Sequence, residues 1–179
     1  MEPFRAFLDP YSFTVQRSNH VPDMRVIGID PGYGRVGWGV VEGRRHELAS
    51  RAWGCIETAK ETPMPARMLE VWRATNAILD EWIPDGMAIE TLYFSKNVTT
   101  AMQVAEVRGI IRLAAAEREL PVAEYAPNQI KLAVTGSGRA DKKQVQEMVR
   151  RVLALDAIPR PDDAADALAC AVCHLHSLR

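Results

Sequence analysis

Short hydrophobic runs separated by polar turns open the patterned part of the chain. Residues 24–30 are mainly apolar and end on Asp30, and their β-branched side chains favour a buried strand. The following pair Pro31-Gly32 suits the middle of a type II turn, in which the glycine would supply a positive φ. Residues 35–41 and 48–56 are predicted as two further strands. We therefore expect an antiparallel meander that starts with the strand carrying Asp30.

A helical pattern comes next and leads to a second carboxylate. Residues 65–82 place apolar side chains on one broad face, and Pro65 suits the first helical turn. Residues 87–90 form a short apolar strand that ends on Glu90. A strand that follows a helix is most simply parallel to an earlier strand, and a right-handed crossover lays it beside the first. Asp30 and Glu90 would then emerge at the same carboxyl edge, where open α/β sheets place their sites.

The second half of the chain continues this alternation. Residues 97–119 predict a helix that is apolar on more than one side, so it is either buried against the sheet or also covered by a partner subunit. Residues 121–125 predict one more strand. Asp141 and Gln144 have the spacing of a capping box at the start of another helix.

Length, composition and cysteine usage limit the class of protein. A chain of 179 residues, 47% hydrophobic and 25% charged, fits one ordinary globular domain. Residues 1–23 have no periodic pattern and are expected to be a disordered N-terminal extension, which leaves residues 24–179 as the single domain. No apolar run approaches the ~20 residues that span a bilayer. Three cysteines cannot complete a disulfide framework, so we expect a cytoplasmic protein that does not bind membranes.

The net charge of -1 means that any nucleic acid must bind a local basic patch. Such a patch is predicted between residues 131 and 151, where the only opposing acids are Asp141 and Glu147. Its basic residues are Lys131, Arg139, Lys142, Lys143, Arg150 and Arg151.

Four carboxylates are expected to meet at one site. A last helix over residues 162–176 carries Asp163 and Asp166 on one face near its amino end. Taken singly, Asp30 suits a turn cap and the helical pair suits the helix dipole. Together with Glu90 they form a like-charged cluster that requires a cation, and oxygen ligands favour Mg²⁺ or Mn²⁺. Two such ions would activate a water and stabilise the leaving oxygen, so the pattern predicts phosphodiester hydrolysis.

Four segments resemble the signatures of the RuvC family, the bacterial Holliday-junction resolvases of the RNase H-like (retroviral-integrase-like) nuclease superfamily. They are VIGIDPGYGRVGWGVV at 26–41, AIETLYFSKN at 88–97, residues 124–146, and PDDAADALACAVCH at 161–174. The resemblance implies an α/β, RNase H-like fold with a five-stranded mixed sheet flanked by helices on both faces. It also implies a homodimer that resolves four-way DNA junctions by paired symmetric nicks in homologous recombination and DNA repair. Cooperation with the RuvAB branch-migration complex is implied as well.

The resemblance also assigns roles by position. The implied metal-binding and catalytic acids, with two Mg²⁺ or Mn²⁺ ions per active site, are Asp30, Glu90, Asp163 and Asp166. Two basic catalytic residues near the scissile strand are Lys131 and Lys142. Tyr93 stands where the family often has Phe, an aromatic suited to stacking on an unpaired base, and Phe94 is a rival for this role. The expected DNA contacts are Tyr93, Phe94, Lys96, Lys131, Arg139, Lys142 and Lys143.

Three other interpretations compete with this one. Residues 170–174 (CAVCH) match a haem c attachment string, but they lie in a predicted apolar helix, where small buried thiols are the plainer explanation. A sugar-kinase-like or actin-like nucleotide binder also begins with an Asp-bearing strand and a glycine-rich hairpin, but it needs a second domain that does not fit in 179 residues. A catalytically silent junction-binding module would gain nothing from four uncompensated acids.

Overall fold

Five strands form one sheet, and five helices accompany it in the part of the chain that the structure describes. The structure is a computed structural model that describes residues 23–44, 47–91 and 98–178. The strands are β1 (Met24–Pro31), β2 (Arg35–Arg44), β3 (Glu47–Glu57), β4 (Gly86–Glu90) and β5 (Val122–Tyr125). The helices are α1 (Met64–Trp82), α2 (Val98–Ala116), α3 (Pro127–Thr135), α4 (Lys142–Val152) and α5 (Asp162–Ser177). Residues 1–22 of the predicted N-terminal extension lie outside the described residues.

The sheet has the strand order β3-β2-β1-β4-β5, with β1 in the centre. The pairs β1–β2 and β2–β3 are antiparallel, whereas β1–β4 and β4–β5 are parallel. The predicted meander and the predicted parallel strand beside β1 are therefore both confirmed. The carboxyl ends of β1 and β4 lie at the same edge of the sheet.

Helices cover both faces of the sheet, as predicted. Val26 and Ile27 are neighbours in β1 and both fully buried, but they point to opposite faces because strand side chains alternate. Val26 belongs to the hydrophobic cluster formed with α3, α4 and α5. Ile27 belongs to the cluster formed with α1 and α2. The central strand is thus held by two separate cores.

Helix α2 packs one apolar stripe against the sheet and leaves further apolar side chains outside. Val107 and Ile111 are almost fully buried in the core with α1. Met102 and Leu113 of the same helix are 63% and 52% exposed. The first of the two predicted settings, burial against the sheet, is confirmed, and a partner subunit stays a prediction.

Two glycines allow α5 to lie directly on the central strands. A Cβ atom on Gly28 of β1 would lie 2.0 Å from the carbonyl oxygen of Ala167, and one on Gly37 of β2 would lie 2.0 Å from that of Asp163. The residues of α5 that face Gly28 are small, because both Ala167 and Ala171 are alanines. This close approach brings the acidic start of α5 against the sheet.

The turn after β1 differs from the prediction. Only Gly43 and Gly136 have a positive φ among the described glycines, so the type II turn with Gly32 at positive φ was wrong. Glycine is needed at this position for a different reason: a Cβ atom on Gly32 would lie 2.4 Å from the carbonyl oxygen of Arg35.

Helix α3 was not predicted from the sequence, because a helix this short leaves little room for a helical period to show. The predicted capping box of α4 is confirmed: Asp141 accepts a hydrogen bond from the Gln144 backbone at 2.9 Å.

Across the described ranges, none of the helices has both the length and the apolar character needed to cross a membrane.

The packing of α5 on β1 predicts a large effect of one added methyl group. Gly28→Ala should lower the free energy of unfolding by about 1–3 kcal/mol, because the methyl group would collide with the backbone of α5. Gly86→Ala in the neighbouring strand is a matched control, since its Cβ would be 3.6 Å from the nearest atom, an ordinary contact. Urea unfolding of both variants measures the difference. Equal stability of the two variants would contradict this packing.

Candidate active site

The parallel pair β1–β4 places two carboxylates side by side. Ile29 pairs with Ile89 in the register of the two strands, and the next residue in each strand is acidic. These residues, Asp30 and Glu90, are therefore neighbours at the carboxyl edge of the sheet. Both are only partly exposed. Their nearness follows from strand register rather than from any special loop.

Helix α5 adds the other two predicted acids to the same edge. Asp30 pairs with Gly37 across β1 and β2, and Gly37 in turn lies against the backbone of Asp163. Asp166 follows three residues later and so lies on the same side of α5. The absence of a side chain at Gly37 is what lets the first turn of α5 reach Asp30.

The pKa values show that the four carboxylates act on one another. Burial, and after it the charges of Glu90, Asp166 and Asp163, raise the pKa of Asp30 to about 7, against the opposing effect of Lys142. Burial and then the charge of Asp166 also raise the pKa of Glu90. Burial raises the pKa of Asp166, although Lys142 opposes this. Ionising the whole set is therefore unfavourable without additional positive charge.

Three basic side chains supply part of that positive charge. Lys142 Nζ lies 2.6 Å from Asp162 Oδ2 and 2.9 Å from Asp166 Oδ2. Lys131 is close enough to Glu90 to oppose the rise in its pKa. Arg35 Nη1 lies 3.5 Å from Asp163 Oδ2. The structure thus gathers both predicted lysines with the four predicted acids.

Sequence reasoning missed two members of this group, Asp162 and Arg35. Asp162 forms the shorter of the two Lys142 contacts and is four residues before Asp166, so helical spacing could have revealed it. Arg35 also binds Glu57 at 2.8 Å, and nothing in the hydrophobic pattern distinguishes it from an ordinary surface residue.

The residues at this edge fit a divalent cation, but they are not arranged as a finished cage. In the described ranges, no three His, Cys, Asp or Glu side chains converge closely enough to hold a metal ion. Asp163 Oδ2 is nevertheless buried without a hydrogen-bond partner there. With Asp162 the edge has five carboxylates, which face only three basic side chains, so negative charge remains in excess. The basic side chains are those of Arg35, Lys131 and Lys142. A set of hard oxygen donors with excess negative charge suits Mg²⁺ or Mn²⁺.

An open groove of about 510 Å³ is lined by the end of α3, the loop that follows it and one face of α4. Arg139 and Lys143 line it and are exposed, and Arg151 extends the lining along α4. Glu147 pairs with Arg151 at 2.8 Å, so the groove stays basic on balance. Of the other predicted DNA contacts, Tyr93, Phe94 and Lys96 lie outside the described residues.

The short string at residues 170–174 is part of the core of the described structure. Cys170 and Cys173 are free thiols buried in α5, and burial raises the pKa of both. His174 Nδ1 lies 2.7 Å from the hydroxyl of Tyr125. The prediction of small buried thiols at these positions is confirmed.

The sequence and the fold are similar to those of one family of known proteins. The family model described as "Crossover junction endodeoxyribonuclease RuvC" matches residues 26–174. This range includes all four acids and both lysines of the candidate site.

Relatives cover most of the chain. The crossover junction endodeoxyribonuclease RuvC of Thermotoga petrophila is 50% identical over 151 residues, which are 84% of this chain and 92% of the relative. That of Desulfitobacterium hafniense is 48% identical over 155 residues, which are 87% of this chain and 94% of the relative. A solved structure of Thermus thermophilus RuvC in complex with a Holliday junction substrate has a TM-score of 0.81 at 34% identity. It covers 84% of this chain and 92% of that chain.

The raised pKa of Asp30 predicts how stability depends on pH in the metal-free protein. The folded chain holds a proton on Asp30 up to about pH 7, whereas the unfolded chain releases it near pH 3.8. The contribution of Asp30 to stability is thus full below pH 3.8 and is lost as the pH rises through 7. Asp30→Asn should become more stable than the wild type over this window, by on the order of 2–4 kcal/mol at the plateau.

Thermal or urea unfolding in EDTA from pH 5 to 8 measures this gap. Asp156→Asn is the control, since Asp156 is exposed and has no hydrogen-bond or ion-pair partner within the described part of the chain. Added Mg²⁺ should narrow the gap, because the ion stabilises the ionised wild-type site. A difference in stability between Asp30→Asn and the wild type that does not change with pH would contradict the raised pKa of Asp30.

Proposed function

Because the chain belongs to the RuvC family of crossover junction endodeoxyribonucleases, we propose that it resolves four-way DNA junctions by hydrolysing phosphodiester bonds. The family resemblance and the RNase H-like fold expected from the sequence motifs are thereby confirmed. The observation that carries the activity is the convergence of Asp30, Glu90, Asp163 and Asp166 at one sheet edge with excess negative charge. A DNA-binding surface without catalysis has no use for such a cluster, since it repels phosphates.

In this proposal the four acids hold Mg²⁺ or Mn²⁺, two ions per active site. When bound, such ions supply a nucleophile at neutral pH and stabilise the charge on the leaving oxygen. The raised pKa of Asp30 and the buried oxygen of Asp163 that accepts no hydrogen bond support the assignment, because both groups gain from a neighbouring cation. Family membership supports a metal-dependent nuclease.

The chain's own basic residues have complementary tasks. Lys142 and Lys131 approach the acidic edge from α4 and α3, where an ammonium group can bind a non-bridging oxygen of the scissile phosphate. Their charges also favour ionised carboxylates, since both oppose the raised pKa of Glu90. The partial burial of Asp30 and Glu90 keeps bulk water from screening these interactions. In this proposal the basic residues orient the phosphate, and they favour the ionised carboxylates that bind the cations.

The groove beside α4 is proposed to bind a DNA arm. Lys143 follows Lys142 in the chain and lines the groove together with Arg139, so a backbone that enters the active site is proposed to continue over these two residues. Tyr93 or Phe94 is proposed to stack on a base at the branch point, with Lys96 as a further phosphate contact, on the basis of the family resemblance. The Thermus thermophilus relative bound to a Holliday junction supports this choice of substrate.

Paired nicks require two active sites, so we propose a homodimer. The exposed apolar side chains Met102 and Leu113 on α2 suit a second copy of the chain. Residues 24–179 are proposed to form one nuclease domain that acts in the cytoplasm, where its three free cysteines stay reduced. Cooperation with the RuvAB complex is proposed from family membership alone.

Incubation of labelled DNA with the protein tests the function directly. A four-way junction should receive symmetric nicks in Mg²⁺ or Mn²⁺, and a linear duplex of the same arm sequence should stay intact. Asp30→Asn should reduce nicking at least about 100-fold, since even residues that only support metal ligands contribute 10–100-fold. Junction binding by this variant should persist in a mobility-shift assay. Nicking by Asp30→Asn at the wild-type rate would sink the assignment of Asp30, and ATP binding without nicking would favour a nucleotide-binding protein.

The groove predicts a change in the salt dependence of binding. Lys143→Ala should weaken junction binding and reduce the slope of log K against log salt by about 0.9, the value for one lost phosphate contact. Lys60→Ala removes the same charge from the exposed turn before α1 and should leave the slope unchanged. Fluorescence anisotropy at several salt concentrations gives both slopes. Identical slopes for the two variants would remove the groove from the DNA path.

A further inference from the structure

Lys142 contacts two carboxylates that lie one helical turn apart, and only one belongs to the proposed metal-binding set. Its ammonium nitrogen is 2.6 Å from Asp162 Oδ2 and 2.9 Å from Asp166 Oδ2. Residues four apart share one face of a helix, so the two carboxylates of α5 can both form ion pairs with the Lys142 ammonium. Asp162 has no role in the site proposed above.

The contact with Asp166 creates a conflict when a divalent cation binds. The cation and the Lys142 ammonium would both claim the carboxylate of Asp166, and two positive charges this close repel each other. Lys142 would then remain on Asp166 and weaken cation binding, or it would leave the site. Asp162 removes this conflict, because it offers a second carboxylate that the ammonium already reaches.

We propose that Asp162 is a positioning residue that retains Lys142 at the active site when Asp166 is engaged by the metal. The ammonium then stays beside the scissile phosphate without competing for the metal ligand. This inference rests on the proposed function, because it takes Asp166 as a metal ligand. Asp162 itself touches neither the metal nor the DNA in this role.

A contribution to folding stability does not account for this contact. The side chains of Lys142 and Asp162 are 52% and 44% exposed, and exposed ion pairs contribute little to stability. Asp162→Asn should therefore fold as the wild type does, with an unchanged unfolding midpoint. The effect of the substitution should lie in cation binding.

A double-mutant cycle for Mn²⁺ binding, measured by calorimetry on the full chain without DNA, tests the proposal. Asp162→Asn should weaken Mn²⁺ binding about 3- to 10-fold, because Lys142 is left on Asp166 alone. In the Lys142→Ala background, the same substitution should change the affinity less than about twofold. Asp162→Glu should keep the wild-type affinity, since it preserves a carboxylate for Lys142. Asp156→Asn controls for the loss of one exposed negative charge.

Two results would overturn the proposal. Equal weakening with and without Lys142 would mean that Asp162 acts on the metal directly, and unchanged Mn²⁺ affinity in Asp162→Asn would mean that it does not position Lys142. Junction nicking by the wild type is scored separately, so failure of the nuclease proposal is distinguishable from failure of this one. A wild-type chain that binds no Mn²⁺ would refute both.

Discussion

Repulsion among partly buried carboxylates is the constraint around which this molecule is arranged. Asp30 and Glu90 stand on adjacent parallel strands, where the backbone fixes their separation. They cannot move apart to relieve the repulsion, and burial prevents water from screening it. Burial, and after it this repulsion, raises the pKa of Asp30. A rigid sheet edge thus holds a charge arrangement that the metal-free protein can only partly neutralise, which supports the proposal that it binds a divalent cation.

The packing of α5 serves the same arrangement. Gly28 and Gly37 remove the side chains that would keep the helix away from the sheet, so Asp163 and Asp166 arrive beside Asp30. The helix is fully buried over much of its length, and this hydrophobic contact stabilises the fold while its acidic first turn opposes it. Lys142 and Arg35 then reduce the net charge from the other side. Core packing therefore supplies the free energy that keeps the acids together.

Much of this organisation could be predicted from the sequence, because it follows from local patterns. The strand before Asp30, the strand before Glu90 and the helical spacing of Asp163 and Asp166 all have clear signals, and right-handed crossover joins them. The contacts of Lys142 with Asp162 and of Arg35 with Asp163 could not be predicted, since they depend on the exact approach of separate elements. The prediction of a positive φ at Gly32 was wrong for the same reason. Glycine is required there because the carbonyl oxygen of Arg35 lies close by, not because of the turn type.

The carboxylates at the ends of β1 and β4 and at the start of α5 are proposed to form one divalent-cation site. Anomalous diffraction from a crystal soaked in Mn²⁺ tests it most directly, because the signal locates the ion without reference to activity. We expect anomalous peaks within coordination distance of Asp30, Glu90 and Asp166. Mn²⁺ bound elsewhere on the chain, with Lys142 still bridging Asp162 and Asp166 and no ion at Asp30, would contradict it.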